Sequence, residues 1–222
     1  MFENPGSDYA LVEPELHLDD GRYRNPYELV TFYDNHDMAR LDASDNGFID
    51  AHNWLFTARG IPAVYYGSEV GFMRGRPEHA GNRNYFGQQR VNAAPASPIF
   101  KALRRIANVR RNSVALQRGL QLDVALKGDL AIFYRVYENA GAAQTALVLL
   151  NKGDGERTVD VRDDLQPGEW RDAFGGAEIT VADHLDATVP AHGVRVYFFD
   201  RPLTRPDTRA RLARLMEKAA SN

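Results

Sequence analysis

The sequence contains no cysteine among its 222 residues. This absence excludes disulfide bonds and thiol catalysis, and the remaining metal-ligating residue types show no zinc-type spacing. No apolar run approaches the roughly 20 residues that span a bilayer. The first residues also lack the basic segment and the apolar core of a signal peptide. Taken together, these absences indicate no particular cellular compartment.

An excess of positive charge is also lacking, because the formal net charge is -3. Nucleic acids and anionic membranes attract basic surfaces, so we expect neither of them as a partner. Hydrophobic residues make up 44% of the chain and charged residues 26%, which is ordinary for a globular protein. A chain of this length can form one large domain or two small ones.

The first half of the sequence predicts strands that alternate with helices. The predicted elements are a strand over 27–33, a turn over 42–47, a helix over 48–59, a strand over 63–66 and a helix over 97–112. A strand, a helix and a second strand in this order are typical of parallel α/β folds. The Gly- and Pro-rich segment 68–97 is predicted as a loop, and loops of this length usually have a function.

After residue 112 the pattern changes to short strands separated by turns. The predicted strands cover 122–126, 130–137, 143–150, 157–161, 169–173, 178–181, 187–190 and 194–199. Short strands at regular spacing with Gly- and Asn-rich turns indicate an all-β sandwich. A charged helix is predicted over 205–220. The predicted fold class is therefore α/β followed by all-β.

Polar residues follow the first predicted strand at the point where it ends. The apolar run 29–33 leads directly into Asp34, Asn35, His36 and Asp37. In a parallel barrel, the carboxyl ends of the strands carry the catalytic groups. A second apolar run ends in the same way at Glu69. An Asp in this position can also be a simple turn or capping residue, so this pattern leaves both interpretations open.

The two runs together resemble the α-amylase superfamily, glycoside hydrolase family 13. The segment 34–37 is similar to the fourth signature region of the family, and 60–69 is similar to its last barrel strand. The continuation through Met38, Ala39 and Arg40 most resembles the cyclodextrin glucanotransferase and cyclomaltodextrinase-like branches. The resemblance covers about residues 27–200. It implies that 1–112 contain the last strands and helices of a (β/α)8 barrel, that 113–202 form the C-terminal β-sandwich, and that 203–222 form a charged helical tail.

The resemblance implies specific roles for the residues at the strand ends. Asp37 corresponds to the third catalytic carboxylate, which stabilises the transition state, and His36 holds sugar hydroxyls. Asn35 and Glu69 are supporting residues. Arg40 is expected to line the cleft and bind substrate, or else to pair with a carboxylate. From the sequence alone, His36 can also be a structural histidine, although its place beside Asp37 favours a sugar ligand, and Glu69 can equally be a surface acid.

The predicted loop 68–97 contains further candidates for sugar binding. Gly81, Asn82 and Arg83 resemble the Asp-Asn-Arg motif with which glucanotransferases hold the donor sugar chain, although Gly81 replaces the acid. Arg83 offers a forked hydrogen-bond donor, and Tyr85 offers a face on which a pyranose ring can stack. The alternative interpretation is a surface loop that happens to carry aromatic residues.

Two residues that the family needs for catalysis are missing. No Gly-x-Arg-x-Asp stretch precedes residue 34, so the nucleophilic Asp and the acid/base Glu of the family are absent. Together with this absence, the resemblance implies the C-terminal portion of a retaining enzyme that acts on α-1,4-glucans or maltooligosaccharides, and the isolated chain is expected to be inactive. An inactive carbohydrate-binding or interaction fragment is the alternative.

The missing barrel strands also predict what the chain contacts. Unpaired strand edges and an exposed apolar face favour binding to the N-terminal barrel part or self-association. We expect no metal or other cofactor in this chain, although calcium remains open for a full-length enzyme. Residues 42–47 resemble the start of an EF-hand loop, but position 12 of that loop would be Asn53 instead of the bidentate Glu that calcium requires.

Overall fold

The computed structural model describes residues 1–139 and 141–220. The helices are α1 (Glu13–Leu16), α2 (Asp45–Thr57), α3 (Gln88–Ala93), α4 (Pro98–Arg111), α5 (Val114–Arg118) and α6 (Pro206–Ala220). The strands are β1 (Val30–Thr31), β2 (Ile61–Pro62), β3 (Leu120–Lys127), β4 (Leu130–Asn139), β5 (Ala142–Asn151), β6 (Arg157–Val161), β7 (Gly168–Asp172), β8 (Glu178–Val181), β9 (Leu185–Val189) and β10 (Gly193–Phe199). The fold is thus a mixed α/β arrangement in which the larger sheets are antiparallel.

Strands β1 and β2 form a short parallel pair in the first half of the chain. The backbone N–H groups of Ile61 and Ala63 donate to the carbonyls of Leu29 and Thr31, at 2.9 and 2.8 Å. The prediction of a strand over 63–66 is wrong, because the pairing ends at Pro62. Gly60, with φ of +99°, allows this approach, since a Cβ there would lie 2.9 Å from the carbonyl oxygen of Leu29.

Helix α2 begins at Asp45, inside the segment 42–47 that was predicted to be a turn. Ser44 caps the helix, because its hydroxyl accepts the backbone N–H of Gly47 at 3.1 Å. The same Ser-Asp-Asn-Gly residues that favour turns also favour helix starts, and the turn prediction is therefore wrong. Helical spacing places Phe48 and Leu55 on one face of this helix, and both side chains are buried.

The segment 68–97 is not a structureless loop. It contains a 3-10 turn over Ser68–Val70, helix α3 and a second 3-10 turn over Ala94–Ala96. Helix α4 follows as predicted. Helical spacing predicts that Arg110 of this helix faces solvent. Its side chain is instead buried and donates to the carbonyls of Phe56, Ala58 and Gly60. The end of α2 leaves carbonyl groups without helical partners, and the guanidinium of Arg110 satisfies these acceptors.

The predicted short strands after residue 112 are present, with bounds that differ by a few residues. Six of them form one antiparallel sheet in the order β3-β4-β5-β10-β7-β8, and β6 pairs with β9 in a second sheet. The two sheets share one apolar core, in which Trp170 is fully buried and Tyr197 is nearly so. The other face of the large sheet packs against residues of α2, α4 and α5. The central strands of this sheet, β4, β5 and β10, are therefore apolar on both faces.

The described part of the chain contains no helix that is long and apolar enough to cross a membrane. Helix α6, predicted as a charged tail, lies against the large sheet, where Leu212 and Leu215 contact the core. Arg211 anchors it by pairing with Asp164. Helical spacing predicts that Met216 also faces inward, but its side chain is 62% exposed.

Candidate functional site

A tight turn follows β1 and presents Asp37 to solvent. The side-chain oxygen of Asn35 accepts the backbone N–H of Asp37 at 2.7 Å, which is the local hydrogen bond by which Asn favours turns. The carboxylate of Asp37 is left 63% exposed. The resemblance implies a supporting role for Asn35 and a catalytic role for Asp37.

The first acid of the motif, Asp34, has the opposite environment. Its side chain is buried, and both of its oxygens accept a hydrogen bond from the hydroxyl of Ser68, at 2.8 and 3.1 Å. Burial raises the pKa of Asp34, while the hydrogen bond from Ser68 acts in the other direction. Asp34 thus ties the turn after β1 to the turn after β2, and Asp37 is the acid that faces outward.

Three of the predicted site residues lie together. The Nε2 atom of His36 is 3.1 Å from one carboxylate oxygen of Asp37, and the Nη2 atom of Arg83 is 2.9 Å from the other. Arg83 lies 46 residues after Asp37 in the chain, so this contact is a product of the fold. We call the residues His36, Asp37 and Arg83 the Asp37 cluster. All three side chains are at least half exposed, so a bound sugar can reach them.

Asn82 holds the loop of the Asp37 cluster in place, and the sequence interpretation gave it no role. It is fully buried, and its amide donates to the backbone carbonyls of His36 and Met38. Its side-chain oxygen accepts the backbone N–H of His79 at 3.0 Å. The signal in the sequence was its place beside Arg83 in the Gly-Asn-Arg motif.

Gly81, which replaces the acid of that motif, fills a position with no room for a side chain. A Cβ atom there would lie 2.1 Å from Cβ of Arg76. An acid at position 81 would therefore require a different path of the loop. The glycine that replaces the acid therefore allows the close packing of this loop against Arg76.

Arg40 lies in the interior with 2% exposure. Its Nε donates to the carbonyl of Gly81 at 3.0 Å and its Nη1 to the carbonyl of Tyr66 at 2.9 Å. Its guanidinium also lies 4.0 Å from Asp34. Protein groups therefore enclose the side chain of Arg40. The sequence analysis expected Arg40 either to line the cleft or to pair with a carboxylate, and the structure places it beside the carboxylate of Asp34.

The remaining predicted residues lie at the edge of this region. Tyr85 is 86% exposed, and Glu69 is half-buried in the 3-10 turn over Ser68–Val70. Two further residues, Tyr65 and Tyr66, donate their hydroxyl groups to the carbonyls of Asn82 and Asn84, at 2.7 and 2.6 Å. The sequence interpretation treated these tyrosines only as part of a strand.

No metal site is apparent in the part of the chain that the structure describes, because no group of three His, Cys, Asp or Glu side chains is arranged to hold an ion. The segment 42–47, which resembles the start of an EF-hand loop, contains the N-cap Ser44 and the first residues of α2 instead. The chemistry that the Asp37 cluster can supply is fixed negative charge, together with hydrogen-bond donors on either side of it.

Comparisons with known proteins identify the relatives of this chain. A scan against models of protein families finds no match. A cyclomaltodextrin glucanotransferase from Bacillus sp. (strain 17-1) is 25% identical over 218 residues, which are 93% of this chain. This chain spans only 27% of the length of that relative. The homologues are thus cyclomaltodextrin glucanotransferases that are much longer than the chain itself.

Solved structures show the same relationship. The α-amylase from Geobacillus thermoleovorans, complexed with acarbose, has a TM-score of 0.74 at 24% identity and matches 91% of this chain and 46% of its own. A cyclomaltodextrin glucanotransferase with a three-domain ABC distribution has a TM-score of 0.69 at 27% identity and matches 90% of this chain and 42% of its own. These findings confirm the resemblance to the α-amylase superfamily that the motifs indicated.

Proposed function

We propose that this homologue of the cyclomaltodextrin glucanotransferases is the C-terminal portion of a retaining enzyme that acts on α-1,4-glucans. In this proposal it supplies the carboxylate of Asp37 to a site that other parts of the enzyme complete. The observation that carries the proposal is the Asp37 cluster, in which an exposed acid lies between His36 and Arg83 at the end of a parallel strand.

The exposed strand pair supports the barrel part of the proposal. Val30, Phe32 and Ile61, which lie on or beside β1 and β2, are each about half exposed, which is unusual for large apolar residues of a parallel sheet. We assign 1–112 to the end of a (β/α)8 barrel whose other strands cover this surface. The antiparallel sheets over 113–202 correspond in this proposal to the C domain, and 203–222 to its helical tail.

The chemistry follows from the transition state of glycoside cleavage. Positive charge develops on the sugar ring, and a fixed carboxylate beside the ring stabilises it. Asp37 supplies this carboxylate. His36 and Arg83 donate hydrogen bonds to sugar hydroxyls, and Tyr85 offers a face on which a sugar ring stacks. The attacking carboxylate and the proton donor come from the rest of the barrel in this proposal. The α-amylase of similar structure from Geobacillus thermoleovorans, which was solved in complex with acarbose, supports an α-glucan substrate.

A second candidate function is a carbohydrate-binding or interaction fragment without activity. The exposed ring of Tyr85 and the exposed guanidinium of Arg83 favour it, because both can contact a sugar without any acid/base pair. In this case the chain works without a partner that completes the barrel.

A chimeric enzyme separates the two candidates. Residues 1–200 replace the matching segment of a cyclomaltodextrin glucanotransferase, and the release of reducing ends from maltoheptaose is measured. The first proposal predicts turnover by the chimera and none by the isolated chain. A folded chimera without turnover, together with glucan binding by the isolated chain in calorimetry, would favour the binding fragment.

A further inference from the structure

We propose that Arg40 is a positioning residue that holds Arg83 and Asp37 in register without touching the sugar itself. The role of that register in glucan binding rests on the proposed function. The claim about positioning rests on the contacts of Arg40 alone. Arg40 lies three residues after Asp37, and its backbone N–H donates to the carbonyl of Arg76 at 3.0 Å, so its own segment already contacts the residue that directly precedes the loop with Arg83.

The guanidinium of Arg40 joins the turn after β2 to this loop, which we define as residues 77–87. One nitrogen donates to the carbonyl of Tyr66 and another to the carbonyl of Gly81. The group also lies over the rings of Tyr65 and Tyr66, at 4.5 and 4.8 Å from their centroids. A planar group with donors in fixed directions is suited to setting the distance between two carbonyls.

The carbonyl of Gly81 is a sensitive point at which to hold the loop. Gly81 precedes Arg83 by two residues, and the loop is packed so closely there that a Cβ atom would overlap Arg76. Asn82 gives the loop a second attachment, to the carbonyls of His36 and Met38. With both attachments in place, Arg83 and Asp37 meet at 2.9 Å although both side chains are exposed.

The energetics of Arg40 also favour a positioning role. Its Nη2 atom is buried and has no hydrogen-bond partner among the described residues. An unpaired buried donor lowers stability, and so does the removal of a charged group from water. A smaller apolar side chain would avoid both costs, but it could not connect the carbonyls of Tyr66 and Gly81.

The test compares Arg40→Lys with Arg90→Lys. Lysine keeps the charge near Asp34 but cannot donate to both carbonyls. Arg90 is the control for a different arginine contact to the same loop, because its exposed side chain donates to the carbonyl of Phe86 at 2.9 Å and lies over the ring of Phe72, but does not contact Gly81. In the crystal structure of Arg40→Lys we expect the contact between Arg83 and Asp37 to be lost, with faster amide hydrogen exchange over 77–87. Arg90→Lys should keep the contact.

A purely structural role for Arg40 predicts a different result. In that case Arg40→Lys lowers the melting temperature but leaves the Arg83–Asp37 contact and the exchange of the 77–87 loop unchanged, which would overturn the proposal. Because a substitution at a buried arginine can prevent folding, exchange of the Arg40 Nε–H in the unsubstituted chain provides a second measurement. We expect this proton to exchange together with the amides of 77–87. A loop that opens while this proton stays protected would also overturn the proposal.

Glucan binding then links the positioning role to function. Calorimetry with maltoheptaose should show weaker binding for Arg83→Lys and for Arg40→Lys. The double variant should show no further loss, because Arg83→Lys removes the guanidinium whose position depends on Arg40. Independent losses that add in the double variant would contradict the link. If the unsubstituted chain does not bind maltoheptaose, the proposed function loses its binding support, while the structural comparison still decides the role of Arg40.

Discussion

The side chains of Asp50 on α2 and His192 before β10 meet at 2.8 Å and connect the two halves of the chain. The other ring nitrogen of His192 lies 2.9 Å from the carboxylate of Asp154. Both nitrogens thus face carboxylates, and only the protonated ring can donate to both. Burial opposes the charge on His192, but the hydrogen bonds to Asp50 and Asp154 outweigh it and raise its pKa.

This contact predicts that the protein loses stability as the pH rises above neutrality. A pKa that is raised by folding means that the folded state binds protons more tightly, so the contribution is complete below about pH 6.5 and is lost as the pH passes the raised pKa of His192. Burial raises the pKa of Asp50 to about 6, so the contribution of Asp50 to stability also decreases as the pH rises, but over a lower pH range. The free energy of unfolding in urea, measured from pH 6 to pH 9, should decline.

The variant His192→Gln should remove most of this decline. His79→Gln is the control, because the side chain of His79 is 75% exposed and lies outside this contact. An unchanged slope in His192→Gln would show that the contact between the halves does not depend on protonation of His192.

The second prediction concerns Arg135, a fully buried charged residue that joins the large sheet to the end of α2. It donates to the carbonyls of Thr57 and Ala58 at 2.8 and 2.6 Å and to the carbonyl of Gly119. Burial lowers its pKa to about 9. Arg135→Ala leaves these acceptors unpaired and should lower the free energy of unfolding by roughly 3 kcal/mol or more.

The control for Arg135 is Arg157→Ala at the exposed start of β6, which should change stability by less than about 0.5 kcal/mol. Urea unfolding of both variants measures the difference. Similar small values for the two variants would mean that the halves of the chain are joined mainly by apolar packing.

The third prediction concerns His36, whose ring lies beside Asp37 on the exposed side of the turn. In the chimeric enzyme, His36→Ala should lower kcat by roughly 10²–10³-fold, by analogy with the loss of one oxyanion-hole donor, because the hydrogen bond from His36 to a sugar hydroxyl stabilises the transition state. The Michaelis constant should change less, because the contact strengthens in the transition state. A variant with a raised Michaelis constant and an unchanged kcat would make His36 a simple sugar-binding residue.

The sequence predicted local structure better than it predicted long-range contacts. Alternating apolar residues and turn signals located the strands after residue 112. Arg110 was misplaced because helical spacing treats arginine as a surface residue, and only the fold reveals the carbonyls of Phe56 and Gly60 that accept its bonds. Asn82 was missed for the same reason, since the carbonyls of His36 and Met38, to which its amide donates, lie more than forty residues away in the chain.

The start of α2 shows a second limit. Ser44 and Gly47 favour a turn and a helix cap through similar local hydrogen bonds, so composition cannot separate the two. The structure decides in favour of the helix because Phe48 is buried in an apolar cluster with Ile99 of α4. Motif similarity identified the residues of the Asp37 cluster, but the distance between Asp37 and Arg83 could come only from the fold.

Turnover of maltoheptaose by the chimera that carries Asp37→Asn tests the central claim most directly. The substitution removes the charge with almost no change of shape, so the fold and glucan binding should persist while turnover is lost. Asp160→Asn is the matched control, because Asp160 is also an exposed acid paired with an arginine, Arg162, at 2.7 Å. We predict no detectable release of reducing ends by Asp37→Asn and normal release by Asp160→Asn. Near-normal turnover by Asp37→Asn would remove Asp37 from the mechanism and contradict the account.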